Sequence, residues 1–264
     1  MPIALVTGAN SGIGRAAAIG LAAEGAHVIA AGRSAERTRP ILEEIDAGGG
    51  SAEYLELDLS SLSSVRIAAQ VFAGSGRDLD ILVNNAGIGV NRRGVTEDGF
   101  EVHFGINHLG HFLLTRELLP SLHPGSRVVS LTSAMHFRAD RLDLSRVRRT
   151  TAYIGLAEYA TSKLANLLFI RELAHRRPEL RAYAVHPGLV RTRLIPAPLR
   201  ALSGSSMLTP EQGADTVIWC ATSEHLASES GYYYQERSRA IPSTLAQDDD
   251  LARDLWERSD EWCG

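Results

Sequence analysis

Six short β-branched runs, separated by longer stretches of helical periodicity, constrain this chain more than any other feature. The runs lie at 3–8, 27–31, 53–57, 80–84, 127–131 and 181–185, mostly bounded by Gly or Asp. Helix-forming segments fill 12–24, 35–47, 63–73, 100–119 and 156–176. Strands that are apolar almost throughout must bury both faces, which a parallel sheet with helices on each side achieves. The spacing therefore predicts a doubly wound α/β sheet, with 231–234 as a seventh strand and ligands outside the carboxyl ends of the strands. The chain has 264 residues, 44% of them hydrophobic, with no internal repeat or linker-like tract. That is enough for one sizeable core, so residues 1–264 are read as a single domain.

The first strand runs straight into Thr7-Gly8-Ala9-Asn10-Ser11-Gly12-Ile13-Gly14, and Arg15-Ala16-Ala17-Ala18 then opens a helix. Glycines at such a junction let the backbone turn sharply and approach a pyrophosphate, whose charge suits a helix N-terminus. A tight strand-to-helix connection could use the same residues, but the placement after strand one favours a nucleotide site. The second strand ends Ala30-Ala31-Gly32-Arg33-Ser34, with no acid to hold ribose hydroxyls. Arg33 stands where a guanidinium could grip a 2′-phosphate, which predicts NADP(H); a plain surface arginine is the alternative.

Chemistry is suggested further on, where Tyr159 and Lys163 lie four residues apart at the start of a helical segment. Residues at that spacing share a helix face. A phenol, with a pKa of about 10, is a weak acid near neutrality, and an adjacent ammonium favours its phenolate. The pair forms a tunable general acid/base. Of 27 basic residues, Lys163 is the single lysine, leaving 26 arginines. An isolated departure from that usage, four residues after a tyrosine, argues for a task that a compact ammonium performs and a planar fork does not. Thr132 and Ser133 end strand five and point to opposite faces, so either hydroxyl could enter the cleft. Asn107 sits within an apolar helical segment, where asparagine is unfavourable unless its amide has a task.

These motifs resemble those of the short-chain dehydrogenase/reductase family. T-G-x-x-x-G-x-G at Thr7–Gly14 looks like its nucleotide motif, Leu57-Asp58-Leu59 its adenine-side strand end, and Asn84-Asn85-Ala86-Gly87 its N-N-A-G element. The resemblance implies a Rossmann-type fold and a catalytic tetrad of Asn107, Ser133, Tyr159 and Lys163, choosing Ser133 over Thr132 and giving Asn107 a proton relay to the lysine. It also implies cofactor contacts from Gly8, Asn10, Ser11, Gly12, Ile13, Gly14, Arg33, Asp58, Leu59, Asn85, Ala86, Gly87, Tyr159 and Lys163. Pro187, Gly188, Val190 and Thr192 would close over the nicotinamide. The segment around Asn107 and the late Leu255-Trp256 resemble the retinol dehydrogenase and WW-domain oxidoreductase branch, which implies NADP(H) and apolar carbonyl or alcohol substrates. Neither a membrane-anchoring N-terminal segment nor a WW module is present in these 264 residues. The Pro-interrupted segment 189–210 is expected to form a substrate lid, an ordinary surface loop being the alternative.

Other function classes find little support. A net charge of −4 does not suit a nucleic-acid binder, and Asp140 and Asp143 break up the arginines of 138–149 into a solvated loop. Two cysteines suggest neither a metal cage nor a disulfide framework, and His103, His108, His111 and His136 read as packing residues, so no metal is expected. No apolar run approaches the roughly 20 residues that span a bilayer. A cytoplasmic enzyme is expected, and a homo-oligomer is compatible with it. The rivals are an NADP-binding sensor or scaffold without turnover, and a Rossmann-like methyltransferase, which would have no use for Tyr159 and Lys163.

Overall fold

Alternation along the strands accounts for the layered architecture. In the computed structural model, which describes residues 1–90, 92–148, 155–192 and 207–264, the strands are β1 (Ile3–Thr7), β2 (His27–Gly32), β3 (Ser51–Glu56), β4 (Leu79–Asn84), β5 (Leu122–Leu131), β6 (Arg181–Val185) and β7 (Tyr232–Gln235). They hydrogen-bond in parallel in the order β3-β2-β1-β4-β5-β6-β7. A short β8 (Ser238–Ala240) adds antiparallel to β7. Leu5 lies beside Ile29 and Leu82, which in turn meets Val128, and all four enter one buried layer. Their neighbours Ala4, Val6, Val28, Val83 and Val129 enter the other. Period-two alternation sends successive side chains to opposite faces, and here both faces are dry.

Helices α1 (Gly12–Ala23), α2 (Ala35–Ala47) and α6 (Pro210–Thr222) cover one face. Helices α3 (Leu62–Ala73), α4 (Gly110–Leu118), α5 (Leu156–Arg176) and α7 (Asp249–Cys263) cover the other. On that second face Trp256 stacks on the ring of Phe169 at 5.8 Å and meets Phe112 edge-on at 5.0 Å. The chain order reverses between β1 and β4, and a crevice opens there at the carboxyl ends of the strands.

The structure departs from the sequence expectations at several elements. The segment expected as one helix over 100–119 contains a π-helical turn, Phe104–Leu109, before α4 begins. The wider turn brings the Asn107 carbonyl to the Nδ1 of His111 at 3.1 Å. Helix α6 was not expected, although it starts with a full capping box from Thr209 and Gln212 and a proline in its first turn. Helix α7 was also missed; Asp248 caps it by accepting the Leu251 N–H at 3.0 Å. Strand β5 begins five residues early because a register shift between Leu79 and Ile81 lets the chain pair from Leu122. Of the proposed lid at 189–210, residues 193–206 lie outside the described residues. Among the described residues no helix is long and apolar enough to cross a membrane.

Helix α4 approaches the start of the third crossover, just after β3, so closely that only glycine fits at its first position. A Cβ at Gly110 would lie 2.8 Å from the Leu59 backbone oxygen and 3.1 Å from its Cβ. Gly110→Ala gains about 1 kcal/mol of helix propensity but must displace backbone, an overpacking cost of about 1–3 kcal/mol. We expect a net loss of stability, read as a lower urea midpoint at unchanged slope.

Candidate active site

Thr7, the last residue of β1, organises the phosphate end of the crevice. Its fully buried hydroxyl accepts the N–H groups of Asn85 and Ala86, each at 2.9 Å, and meets the Nε2 of His111 at 2.9 Å. Two lone pairs are thereby used, so the hydroxyl hydrogen is shared between the imidazole and the Val83 carbonyl oxygen, the latter at 3.3 Å. The Asn85 amide donates to the Thr7 carbonyl at 2.7 Å. Together these bonds fix the loop after β4 against the loop after β1.

The Gly-rich turn is bound into the same arrangement. Gly8 adopts φ +67°, in the left-handed region that glycine occupies without strain. A Cβ at Gly14 would come within 2.3 Å of the Asn85 amide nitrogen and 2.5 Å of the Gly8 carbonyl oxygen. The turn therefore lies open toward a cleft of about 880 Å³. The wall includes Gly8, Asn10, Ser11, Gly12, Ile13 and Gly14, then Arg33, Asp58 and Leu59, then Asn85, Ala86 and Gly87, with Pro187 and Thr192 opposite. Thr192 passes over the turn, its Cγ2 3.4 Å from where a Gly12 Cβ would stand. Gly188 and Val190 stand behind that wall: Val190 is buried, packed against Gly213 of α6.

Arg15, Ser34 and Arg37 also face the cleft and were not singled out from the sequence. Arg15 is held by an ion pair to Glu44. Arg33 and Arg37 form no ion pair with a carboxylate among the described residues, so two guanidinium-bearing residues line the cleft where β2 passes into α2. A second arginine four residues after Arg33, across a Ser34 N-cap that accepts the Arg37 N–H at 3.3 Å, was the available signal. The cradle of glycines, the helix N-terminus and these cations suit a dinucleotide phosphate chain.

At the other end, α5 presents Tyr159 and Lys163 on the face toward β5. The ammonium lies 5.6 Å from the phenol ring centre and donates to the Leu131 carbonyl at 3.1 Å. Thr132 sends its hydroxyl back to the Lys163 carbonyl at 2.8 Å, sewing the strand to the helix. Ser133 accepts the Met135 N–H at 3.2 Å, which leaves its O–H to donate to the phenol. The two hydroxyls that strand alternation left open thus have different partners. Burial raises the Tyr159 pKa, and the bond from Ser133 works against that rise. Burial also pulls the Lys163 ammonium down to about 8.

Asn107 reaches this group through Gly87, whose Cβ would stand 3.0 Å from the Asn107 Oδ1 and 3.9 Å from the Lys163 Nζ. Its amide accepts the Ile88 N–H at 2.8 Å and donates to Ser162 at 3.0 Å. Of the other histidines expected to pack, His108 bonds Ser259 at 3.1 Å, and His136 lies between the Ser133 carbonyl at 2.7 Å and the Ser243 N–H at 3.1 Å. Among the described residues no three His, Cys, Asp or Glu side chains gather as a metal site.

Comparison with known proteins gives this arrangement a family. Mouse (Mus musculus) polyprenol dehydrogenase is 40% identical over 96% of this chain and 81% of its own. Human (Homo sapiens) retinol dehydrogenase 11 is 37% identical over 99% of this chain and 86% of its own. The crystal structure of a short chain dehydrogenase from Burkholderia cenocepacia in complex with NADP superposes with a TM-score of 0.73 at 29% identity, covering 88% of this chain and 94% of that one. With its residues 2–198 matching the short chain dehydrogenase profile, and relatives of this similarity over nearly its whole length, the chain belongs to the short-chain dehydrogenase/reductase family.

Proposed function

We propose that this chain is an NADP(H)-dependent enzyme that interconverts an alcohol and a carbonyl group on an apolar small molecule. The pairing of Tyr159 and Lys163 at one end of an open dinucleotide-sized cleft, with Ser133 bonded to the phenol from outside the cleft lining, carries the reading. Relatives named for polyprenol and retinol support the apolar substrate class. The cofactor, when bound, supplies or accepts the hydride.

Gly8, Asn10, Ser11, Gly12, Ile13 and Gly14 would hold its pyrophosphate, and Arg33 its 2′-phosphate. Asp58, Leu59, Asn85, Ala86 and Gly87 would flank the adenosine and central portions, and Pro187, Gly188, Val190 and Thr192 the nicotinamide end. In the reduction direction Ser133 donates to the carbonyl oxygen and Tyr159 gives that oxygen its proton. Lys163 favours the phenolate that results, because its positive charge lies in a site with little water to screen it. Asn107 keeps the loop at Ile88 against Lys163 and is the proposed link by which the proton is replaced from solvent. A turnover assay of NADPH oxidation over aliphatic, aromatic, steroid, retinoid and polyketide-like carbonyls tests the whole reading; NADPH binding with no turnover would replace it by a sensor or scaffold.

Three outcomes are expected. Arg33→Ala should weaken NADPH binding by roughly ten- to a hundredfold relative to NADH, the worth of a charge-assisted hydrogen bond of about 1.5–3 kcal/mol. Titration of both cofactors checks it, and an unchanged preference overturns the 2′-phosphate assignment. Tyr159→Phe should cut turnover by about 10²–10⁴-fold while NADPH still binds. For pH, the Lys163 charge is present below about 8 and lost above it, so kcat/KM for reduction should fall as pH rises through that value. Lys163→Arg keeps its charge at all accessible pH, and should lose this limb even though its maximal rate is lower.

A further inference from the structure

His103 is a titratable side chain with no exposure to solvent, one short step from the phenol of Tyr159, and it takes no part in the chemistry above. Its Nδ1 lies 2.7 Å from the Glu101 Oε1 and its Nε2 3.0 Å from the Gly89 carbonyl oxygen. A neutral imidazole has one N–H, so one of these contacts would set a lone pair against an oxygen. An imidazolium donates to both. The other Glu101 oxygen accepts the N–H groups of His103 and Phe104, each at 3.0 Å, which holds the carboxylate at the start of the helical turn. A buried cation is tolerable when paired and fully hydrogen-bonded, as this one is.

Three parts of the site meet on this ring. Gly89 belongs to the loop after β4, whose Gly87, Ile88 and Gly89 line the cleft. The ring of Tyr159 stands edge-on to His103 at 6.2 Å and 82°. Gly155, the residue before α5, packs so closely that its Cβ would be 2.4 Å from the His103 Cε1, and its N–H donates to Val90 at 3.0 Å. Asn107 follows four residues later on the same helical turn.

We propose that His103 is a positioning residue: a buried imidazolium which, pinned between Glu101 and Gly89, fixes the cleft-lining loop relative to the phenol of Tyr159. The proposal rests on Tyr159 being the proton donor. The charged groups acting on the ring are Glu101 on its own segment and Glu158 on α5; Lys163 lies one turn beyond Tyr159 on that helix. Arg138, Asp140, Arg141 and Asp143 line, with Glu101 and Glu158, a cavity of about 420 Å³. Desolvation opposes the charge, but the Glu101 hydrogen bond and charge, the Gly89 carbonyl and Glu158 together hold the His103 pKa above its ordinary value. For a raised pKa, the stability gained from the charged form is fully present below the unfolded value of about 6.5 and is lost as pH rises through the folded one. The clamp is therefore closed below about 6.5 and opens as pH rises through the raised value of the folded protein.

Long-range ¹H–¹⁵N NMR of the whole chain, labelled at histidine and free of cofactor, tests the charge directly. The expected result is two protonated nitrogens on His103 at pH 7, reverting to one in Glu101→Gln. Steady-state kinetics of His103→Gln should show kcat lower by roughly ten- to a hundredfold, the cost of a small misplacement, with NADPH affinity little changed. One bare ring nitrogen in the wild-type protein at pH 7 overturns the proposal, as does a wild-type kcat in His103→Gln. Tyr159→Phe run in parallel separates the two readings. If that variant is inactive while His103→Gln is not, only the positioning role falls; if Tyr159→Phe turns over normally, the catalytic assignment beneath it falls. Should neither variant of the pair fold, the wild-type titration decides alone.

Discussion

The hydroxyl of Thr7 ties the two halves of the molecule together. It sits where β1 ends and the sheet reverses direction, and it receives two backbone N–H groups from the far side of the crevice. Each such bond contributes about 1 kcal/mol, but the consequence is mainly geometric. With the loop after β4 fixed at Asn85 and Ala86, Gly87 and Ile88 follow in a set place, and Asn107 bonds Ile88 from the helical layer. The imidazole of His111 joins the same hydroxyl to the Asn107 carbonyl. A single buried oxygen thus relates the Gly-rich turn to the group around Lys163.

Strand β5 and helix α5 form the second rigid piece. Leu131 receives both the Lys163 ammonium and the Asn166 amide, at 3.1 and 2.9 Å, and Thr132 returns a bond to the helix backbone. A reacting group built on a strand end and a long helix is better fixed than one on loops. What varies among proteins of such a fold is the material around the mouth of the cleft.

Much of this was legible in the residues. Strand β6 and helices α2 and α5 begin and end where periodicity places them, because Gly, Pro and cap residues punctuate them in the sequence. The Gly-rich turn, Arg33 and the Tyr159–Lys163 pair were visible for the same reason: each needs a particular residue type at a fixed spacing. The π-helical turn was not, since its apolar pattern is that of an ordinary helix and the extra backbone width depends on Asn107, His111 and Ile88 meeting in space. Helix α6 had a readable start at Thr209, hidden by assigning 189–210 to one segment. Helix α7 carries its apolar residues at Leu251, Leu255 and Trp256, a helical stripe, yet its mostly charged remainder weakened the signal. The partner of Ser133 was beyond sequence reasoning, because alternation gives faces and not contacts.

Having one lysine has a chemical consequence outside catalysis. The only side-chain amine of this protein is 5% exposed and sits at the reacting end of the cleft. With a pKa near 8, roughly half of it is the neutral, nucleophilic amine at that pH, against a small fraction for an ordinary lysine. Amine-directed reagents therefore meet, apart from the exposed α-amine of Met1, a surface that offers them no lysine, and one side-chain nitrogen at the bottom of a crevice. Acylation of that nitrogen, read separately from that of the α-amine by peptide mass mapping, measures whether the crevice is open.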